Sequence, residues 1–219
     1  MKKFAIATAV AALFASVSAT AAPVIWGNVY TDMLINDNAT EKRSQIIGIE
    51  GGVTTSRGTE FYGFFEHNPD LENEFGKLTV HSTVIGDFGL YGHATMFKEG
   101  DFSEERYVVG AGYQGFVGDG YAIKPYVGAV RIDQGEDNTF TQPAIGYAGY
   151  YAVGNKTSLS SWADARVDDD RKVHIQGSVG VQHDIFERVY VGAFYNMNYG
   201  EQGQKHFSDS VQLRVGYHF

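Results

Sequence analysis

The sequence contains no cysteine, so no disulfide can stabilise the fold and its stability must come from backbone hydrogen bonds. Only four of the 219 residues are proline. Beyond the N-terminal segment, no stretch approaches the roughly 18 consecutive apolar residues of a membrane helix. A membrane protein with this sequence would therefore have to cross the bilayer with strands. The abundance of glycine (27), tyrosine (14) and phenylalanine (15) favours strands over a helical bundle.

The N-terminus has the pattern of a secretory signal. Met1 to Lys3 form a basic region, Phe4 to Val17 carry no charge, and Ala19 to Ala21 form a small-x-small cleavage site. We expect a signal peptide over residues 1–21 and a mature chain over residues 22–219. Removing the two lysines leaves 15 basic against 26 acidic residues, a net charge of −11 instead of −9. An acidic exported protein is poorly suited to nucleic acid, so we predict no nucleic-acid partner.

The C-terminal stretch SDSVQLRVGYHF alternates strictly between apolar and polar residues up to its last position. Its apolar face carries Val211, Leu213, Val215, Tyr217 and Phe219. The closing strand of a transmembrane β-barrel must pair with the first strand, because lipid cannot satisfy free N–H and C=O groups. The ending resembles the C-terminal signal of outer-membrane barrels, which implies the outer-membrane assembly machinery as a partner. A terminal strand of a soluble β-sandwich is the alternative.

The same period of two recurs in twelve segments. They are 24–36, 43–53, 59–67, 76–85, 88–97, 106–116, 121–131, 142–153, 158–167, 173–182, 189–199 and 208–219. An even count returns both termini to the same side, as in single-chain outer-membrane barrels. We therefore predict an all-β fold over residues 22–219. It would be a monomeric transmembrane antiparallel β-barrel of twelve strands, surrounded by outer-membrane lipid.

The connections between these segments fall into two classes. Five are tight and rich in Gly, Asn and Asp, and we expect them to be periplasmic turns: 54–58, 86–87, 118–120, 154–157 and 184–187. Six others are mostly longer and more acidic, and we expect them outside the cell: 37–42, 68–75, 98–105, 132–141, 168–172 and 200–209.

The inward face predicted by this alternation mixes acids, bases and aromatic rings. The candidate solute-binding residues of the lumen are Trp26, Tyr30, Glu50, Glu60, Tyr62, Tyr91, His93, Arg106, Lys124, Trp162, Asp164, Arg166 and Arg214. A general anion pore would show mainly one sign of charge, whereas aromatic faces beside polar groups suit weak stacking of a ring-bearing solute. Alternatively, each charge takes part in a salt bridge across a narrow lumen.

Two short stretches resemble a known family. Ile49 to Gly52 and Gly58 to Glu66 are similar to the early segment of the Tsx-like nucleoside-specific outer-membrane channels, in which an acidic, Gly-rich strand precedes an acidic-aromatic-Tyr-Gly-aromatic pattern. Trp26 to Asn28 and the Tyr-x-Phe ending are also similar. The resemblance implies a channel for passive uptake of small polar solutes, in particular nucleosides, without a cofactor.

Two other classes of function stay open at this stage. One is a non-conducting surface barrel that acts as a receptor or an adhesion protein through its acidic loops. The other is a barrel hydrolase, for which Asp164 and His174 on neighbouring strands are the best candidate pair. We predict no enzymatic activity. We also predict no metal site, because the run Asp168 to Asp170 is typical of a solvated loop and the histidines form no spaced ligand motif.

Overall fold

The structure is a computed structural model that describes residues 24–36, 44–55, 58–70, 72–134, 139–199 and 209–219. The predicted signal peptide lies outside the described residues, as do the predicted loop 37–42, residue 43 of the next predicted segment, and residues 135–138 and 200–208. In the described part of the chain, no helix is long and apolar enough to cross a membrane.

Every regular element of the described residues is a β-strand. In chain order the strands are β1 (Val24–Asn36), β2 (Ser44–Thr54), β3 (Glu60–Asn68), β4 (Asn73–Ile85), β5 (Phe88–Glu99), β6 (Phe102–Tyr113), β7 (Phe116–Gly118), β8 (Tyr121–Asp133), β9 (Thr139–Ala152), β10 (Thr157–Val167), β11 (Val173–Asp184), β12 (Val189–Tyr199) and β13 (Ser210–His218). All neighbouring strands pair in the antiparallel sense.

The thirteen strands make a closed barrel with twelve staves. Strands β6 and β7 are parts of one stave, since both pair with β8 and only Gln114 and Gly115 separate them. The barrel closes between β1 and β13, where the register runs from Asn28 opposite His218 to Asn36 opposite Ser210. The predicted fold class and the predicted strand count are confirmed. Closure also leaves no unpaired edge among these strands, as a bilayer requires.

The two faces of the barrel wall differ as the alternation predicted. Outward apolar side chains are widely exposed, for example Val109 (72%) and Val127 (60%). Inward polar side chains such as Asp32 (1%) and Arg214 (8%) are buried. An apolar belt of this extent would be unfavourable in water and is the surface that hydrocarbon accepts. The protein is therefore an outer-membrane barrel. We call the end that holds Val24 and Phe219 the terminal end, and the opposite end the loop end.

Two connections predicted as long external loops are tight turns. Strand β3 ends at Asn68 and β4 begins at Asn73, where 68–75 was expected to be a loop. The predicted loop 98–105 shrinks to Gly100 and Asp101, between β5 and β6. The ladder continues because the buried rings of Phe75 and Phe97 lie opposite each other and pack together inside the barrel. A positive φ of 56° at Gly100 allows the chain to reverse there.

Several inward rings lie in the space left by glycines on neighbouring strands. A Cβ atom at Gly48 would lie 2.2 Å from the ring of Tyr30, and one at Gly216 would lie 2.2 Å from the ring of Tyr190. The same relationship joins Trp26 to Gly52 and Phe194 to Gly180. Because these rings occupy space against the wall, less of their volume enters the lumen.

Candidate solute-binding cavity and lumen

A cavity of about 800 Å³ lies inside the barrel and reaches its terminal end. Its wall includes Phe219 and the turn residues Gly154 to Lys156. Nine of the thirteen candidate residues line this large cavity: Trp26, Tyr30, Glu50, Glu60, Tyr62, Tyr91, Lys124, Trp162 and Arg214. The other four, His93, Arg106, Asp164 and Arg166, line a small cavity of about 30 Å³ nearer the loop end. The predicted lumen residues are thus divided between two unequal spaces.

Arg214 is the centre of an ionic cluster at the seam of the barrel. Its guanidinium donates two hydrogen bonds to the carboxylate of Asp32, both at 2.8 Å. It also donates to Glu66 at 3.3 Å, and its carbon lies 3.4 Å from the ring centroid of Tyr30. The bidentate geometry and the aromatic face are typical of a firmly oriented arginine. Strands β1, β3 and β13 are therefore linked through one side chain.

The carboxylate of Glu50 accepts hydrogen bonds from two side chains of adjacent strands. Asn28 donates to one of its oxygens at 2.8 Å and the hydroxyl of Tyr62 donates to the other at 3.0 Å. The ring of Tyr62 stacks with that of Trp26, with centroids 5.8 Å apart and planes 27° apart. Trp26 is 42% exposed, so this pair presents an aromatic surface to the large cavity.

Three charged side chains reach across the lumen to strands that are not their neighbours. Lys77 on β4 lies 3.3 Å from Asp164 on β10, and Lys124 on β8 pairs with Glu60 on β3. Arg106 on β6 donates to Gln176 on β11 at 2.8 Å. For Lys77 and Lys124, the alternative of a salt bridge across the lumen agrees with the structure, whereas the partner of Arg106 across the lumen is a neutral amide.

Asp164 and Trp162 both contact the ammonium group of Lys77. Its ammonium nitrogen lies 4.4 Å from the ring centroid of Trp162, in cation–π geometry. The hydroxyl of Tyr126 also donates to Asp164, and the ring of Tyr126 stacks on that of Tyr91 with centroids 3.9 Å apart. One face of Trp162 is consequently occupied by Lys77 rather than open to a solute.

The half of the lumen near the loop end is filled by side chains. An apolar cluster inside the barrel contains Tyr91, Val108, Tyr126, Val130, Ile132 and Ala144, all buried. Arg106 pairs there with Glu104 at 2.5 Å, and Arg166 donates to Gln142 at 2.5 Å. The inward face was expected to mix acids, bases and aromatic rings, and the structure adds buried aliphatic side chains to it. Alternation identifies inward positions, but packing decides which of them are filled by apolar residues.

The acid–histidine pair considered for hydrolysis does not form. Asp164 binds Lys77 and Tyr126, whereas Nε2 of His174 lies 2.9 Å from Asp168. The hydrogen bond from His174, together with that from the backbone N–H of Lys172, holds the pKa of the Asp168 carboxyl below its usual value. Among the described residues, no group of three or more His, Asp or Glu side chains is placed to hold a metal ion.

Three residues central to this site were not among the thirteen candidates. Asp32 and Glu66 bind Arg214, and Lys77 crosses the lumen. Asp32 could have been found from sequence, because pairing the first and last segments places it opposite Arg214. Lys77 and Asp164 are on distant strands, so only the curvature of the closed barrel brings them together.

No protein-family model matches this chain, and no curated protein matches it in sequence. Among solved structures, the NanC porin is similar, with a TM-score of 0.54 and 7% identity over 88% of this chain and 98% of that chain. The KdgM porin in complex with disordered oligogalacturonate has a TM-score of 0.52 and 6% identity, over 89% and 98%. Both of these neighbours are porins, and at these identities the likeness establishes the fold alone. Membership of the Tsx-like family stays a prediction.

Proposed function

We propose that the protein is an outer-membrane channel for the passive passage of small polar solutes. The observation that carries the proposal is the large cavity, about 800 Å³ in volume, inside a closed barrel and open at its terminal end. Its wall combines hydrogen-bonding groups with aromatic faces, which can hold a solute weakly enough for it to leave again.

The charges of the lumen favour a neutral or charge-balanced solute. Lys77 and Lys124 are each neutralised by an acid across the lumen, and Arg214 contacts Asp32, Glu50 and Glu66. A channel selective for anions would leave cations unpaired along its path. Nucleosides, which the sequence resemblance implies, are neutral and carry both a flat base and hydroxyl groups. The Trp26–Tyr62 pair beside Glu50 offers a stacking surface and an acceptor for these two parts.

Single-channel recording in a planar bilayer tests both the channel activity and the preference for nucleosides. Purified protein should give discrete conductance steps, and millimolar uridine or adenosine should reduce the current. Ribose is the matched control, because it carries the hydroxyl groups without the base. An absence of steps would contradict the channel. Steps that nucleosides and ribose affect equally would contradict the nucleoside preference and leave an unspecific channel.

A non-conducting barrel is the second candidate, and one observation favours it. Val108, Val130 and Ile132 are buried inside the loop half of the barrel, where only about 30 Å³ remains in the small cavity. A barrel closed in this way could bind a solute from the terminal end without passing it on. The same recordings separate the two candidates, because only the channel gives current.

A further inference from the structure

Three residues lie between the two cavities of the lumen. Phe75, Lys77 and Trp162 line both the large cavity and the small one. A path from the large cavity into the small one must therefore pass these side chains. They differ in how firmly they are held and in how far they can move.

Phe75 and Trp162 belong to an apolar cluster. Phe75 is buried, packs with Phe97, and lies 5.3 Å from the ring of Phe64 between centroids. Trp162 packs against the same cluster. Moving either ring would break several apolar contacts at once, so neither is suited to frequent displacement.

Lys77 is held differently. Its side chain is 9% exposed and crosses the lumen to Asp164, with the ammonium over the ring of Trp162. The contacts that hold it in place are made by its charged tip, and its four-carbon stem can swing to other rotamers. On leaving, the ammonium would enter the large cavity, whose wall offers the carboxylates of Glu50 and Glu66.

We propose that Lys77 determines passage between the two cavities. With its ammonium held by Asp164 and Trp162 it closes the path, and solutes pass when it swings into the large cavity. This inference rests on the proposed channel function and assigns the specificity-determining step to one residue. To pass, a solute must displace the Lys77 ammonium from its ion pair with Asp164 and its cation–π contact with Trp162. A solute that makes no polar contacts of its own cannot replace these interactions and is selected against.

The absence of cysteine allows a direct test by thiol labelling. Ala144 on β9 lines the small cavity and Ser160 lines the large one, so Ala144→Cys reports access beyond Lys77 and Ser160→Cys reports access before it. Each variant is reconstituted in lipid and its labelling rate with N-ethylmaleimide is measured with Lys77 present and in the Lys77→Ala background. Access from the loop end adds the same amount to the rate in both backgrounds, so it cancels in the difference between the two rates.

We expect Lys77→Ala to raise the labelling rate at position 144 by roughly tenfold or more, since a displaced minor state is commonly populated at only a few per cent. The rate at position 160 should not change. Lys77→Met, which keeps the bulk of the stem and removes the charge, should behave like Lys77→Ala. Lys124→Ala is the matched control, because Lys124 also ties across the lumen but lines only the large cavity.

Equal rates at position 144 with and without Lys77 would overturn the proposal. So would a Lys77→Met variant that labels as slowly as the protein with Lys77, because bulk rather than the held charge would then close the path. Labelling needs no current, so its outcome is separate from that of the recordings. A barrel that fails to conduct but shows the expected increase in labelling would retain the role of Lys77 and refute the channel.

Discussion

Arg214 and Asp32 lie directly opposite each other on the two strands that close the barrel, and two hydrogen bonds of 2.8 Å join them. Both side chains are buried, at 8% and 0% exposure. Because Glu66 and Glu50 also face the guanidinium, removing it would leave three carboxylates without their shared cation.

We therefore expect Arg214→Met to lower the free energy of unfolding by about 3–5 kcal/mol, the range for breaking one partner of a buried pair. The measurement is chemical denaturation in lipid vesicles. The double variant Asp32→Leu/Arg214→Met should recover part of this loss, because it removes one of the uncompensated charges. If Arg214→Met were as stable as the parent protein, the claim that the ionic cluster around Arg214 stabilises the seam would be wrong.

The assignment of the two faces makes a second prediction. Val179 points outward near the middle of β11, whereas its neighbour Ser178 lines the large cavity. Val179→Arg should cost about 2–4 kcal/mol of folding free energy, since it puts a charge into hydrocarbon. Ser178→Arg, the matched control, should cost much less. Equal losses, measured by folding into vesicles and by heat-modified gel mobility, would be inconsistent with the register.

The fold was predictable because period two is a local property of the sequence. Segment 189–199 coincides with β12, and the terminal segment pairs with β1 as closure demands. The ends of β4 and β5 were not predictable in the same way. Their extension depends on Phe75 packing against Phe97, a contact between strands that alternation along one strand does not reveal.

The candidate site was predictable only as a set of inward positions. Asp164 was chosen as a lumen residue, but its partner Lys77 is 87 positions away and meets it only across the closed barrel. Lys124 and Glu60 are also far apart in the sequence and meet only across the closed barrel. The apolar filling around Ile132 also depends on which inward side chains face one another at the same depth, a property of barrel stagger.

The structure indicates which tryptophan should matter most for a ring-bearing solute. Trp26 presents its surface to the large cavity with Tyr62 stacked beside it, whereas Lys77 covers one face of Trp162. We expect Trp26→Ala to weaken nucleoside block by about 1–3 kcal/mol in apparent affinity. Trp162→Ala should weaken it less. Current block by uridine in the two variants measures the difference, and a larger loss at Trp162 would refute this choice of surface.

Acid should loosen the turn between β10 and β11. The pKa of Asp168 is lowered in the folded protein, so its ionised form stabilises the turn above its ordinary pKa. That contribution is lost as the pH falls below about 4 and the carboxyl takes up a proton. The amide of Lys172, which donates to Asp168 at 2.8 Å, should then lose protection from hydrogen exchange after correction for the intrinsic rate.

Two variants check this assignment. Asp168→Asn should remove the acid-dependent change at the Lys172 amide, because no carboxyl remains to titrate at that position. Asp170→Asn should retain it, since the Asp170 carboxylate forms an exposed ion pair with the Lys172 side chain and the substitution leaves the backbone N–H in place. If Asp170→Asn abolished the pH dependence instead, the titrating carboxyl would be that of Asp170, and the assignment to Asp168 would be wrong.

Solute flux into proteoliposomes tests the channel most directly. Vesicles containing the barrel and matched protein-free vesicles are given labelled uridine on one side, with a labelled tetrasaccharide as a larger control solute. The account predicts that the barrel accelerates entry of uridine and leaves the tetrasaccharide excluded, because the lumen is crossed by Lys77, Lys124 and Arg106. Uridine entry no faster than into protein-free vesicles would contradict it.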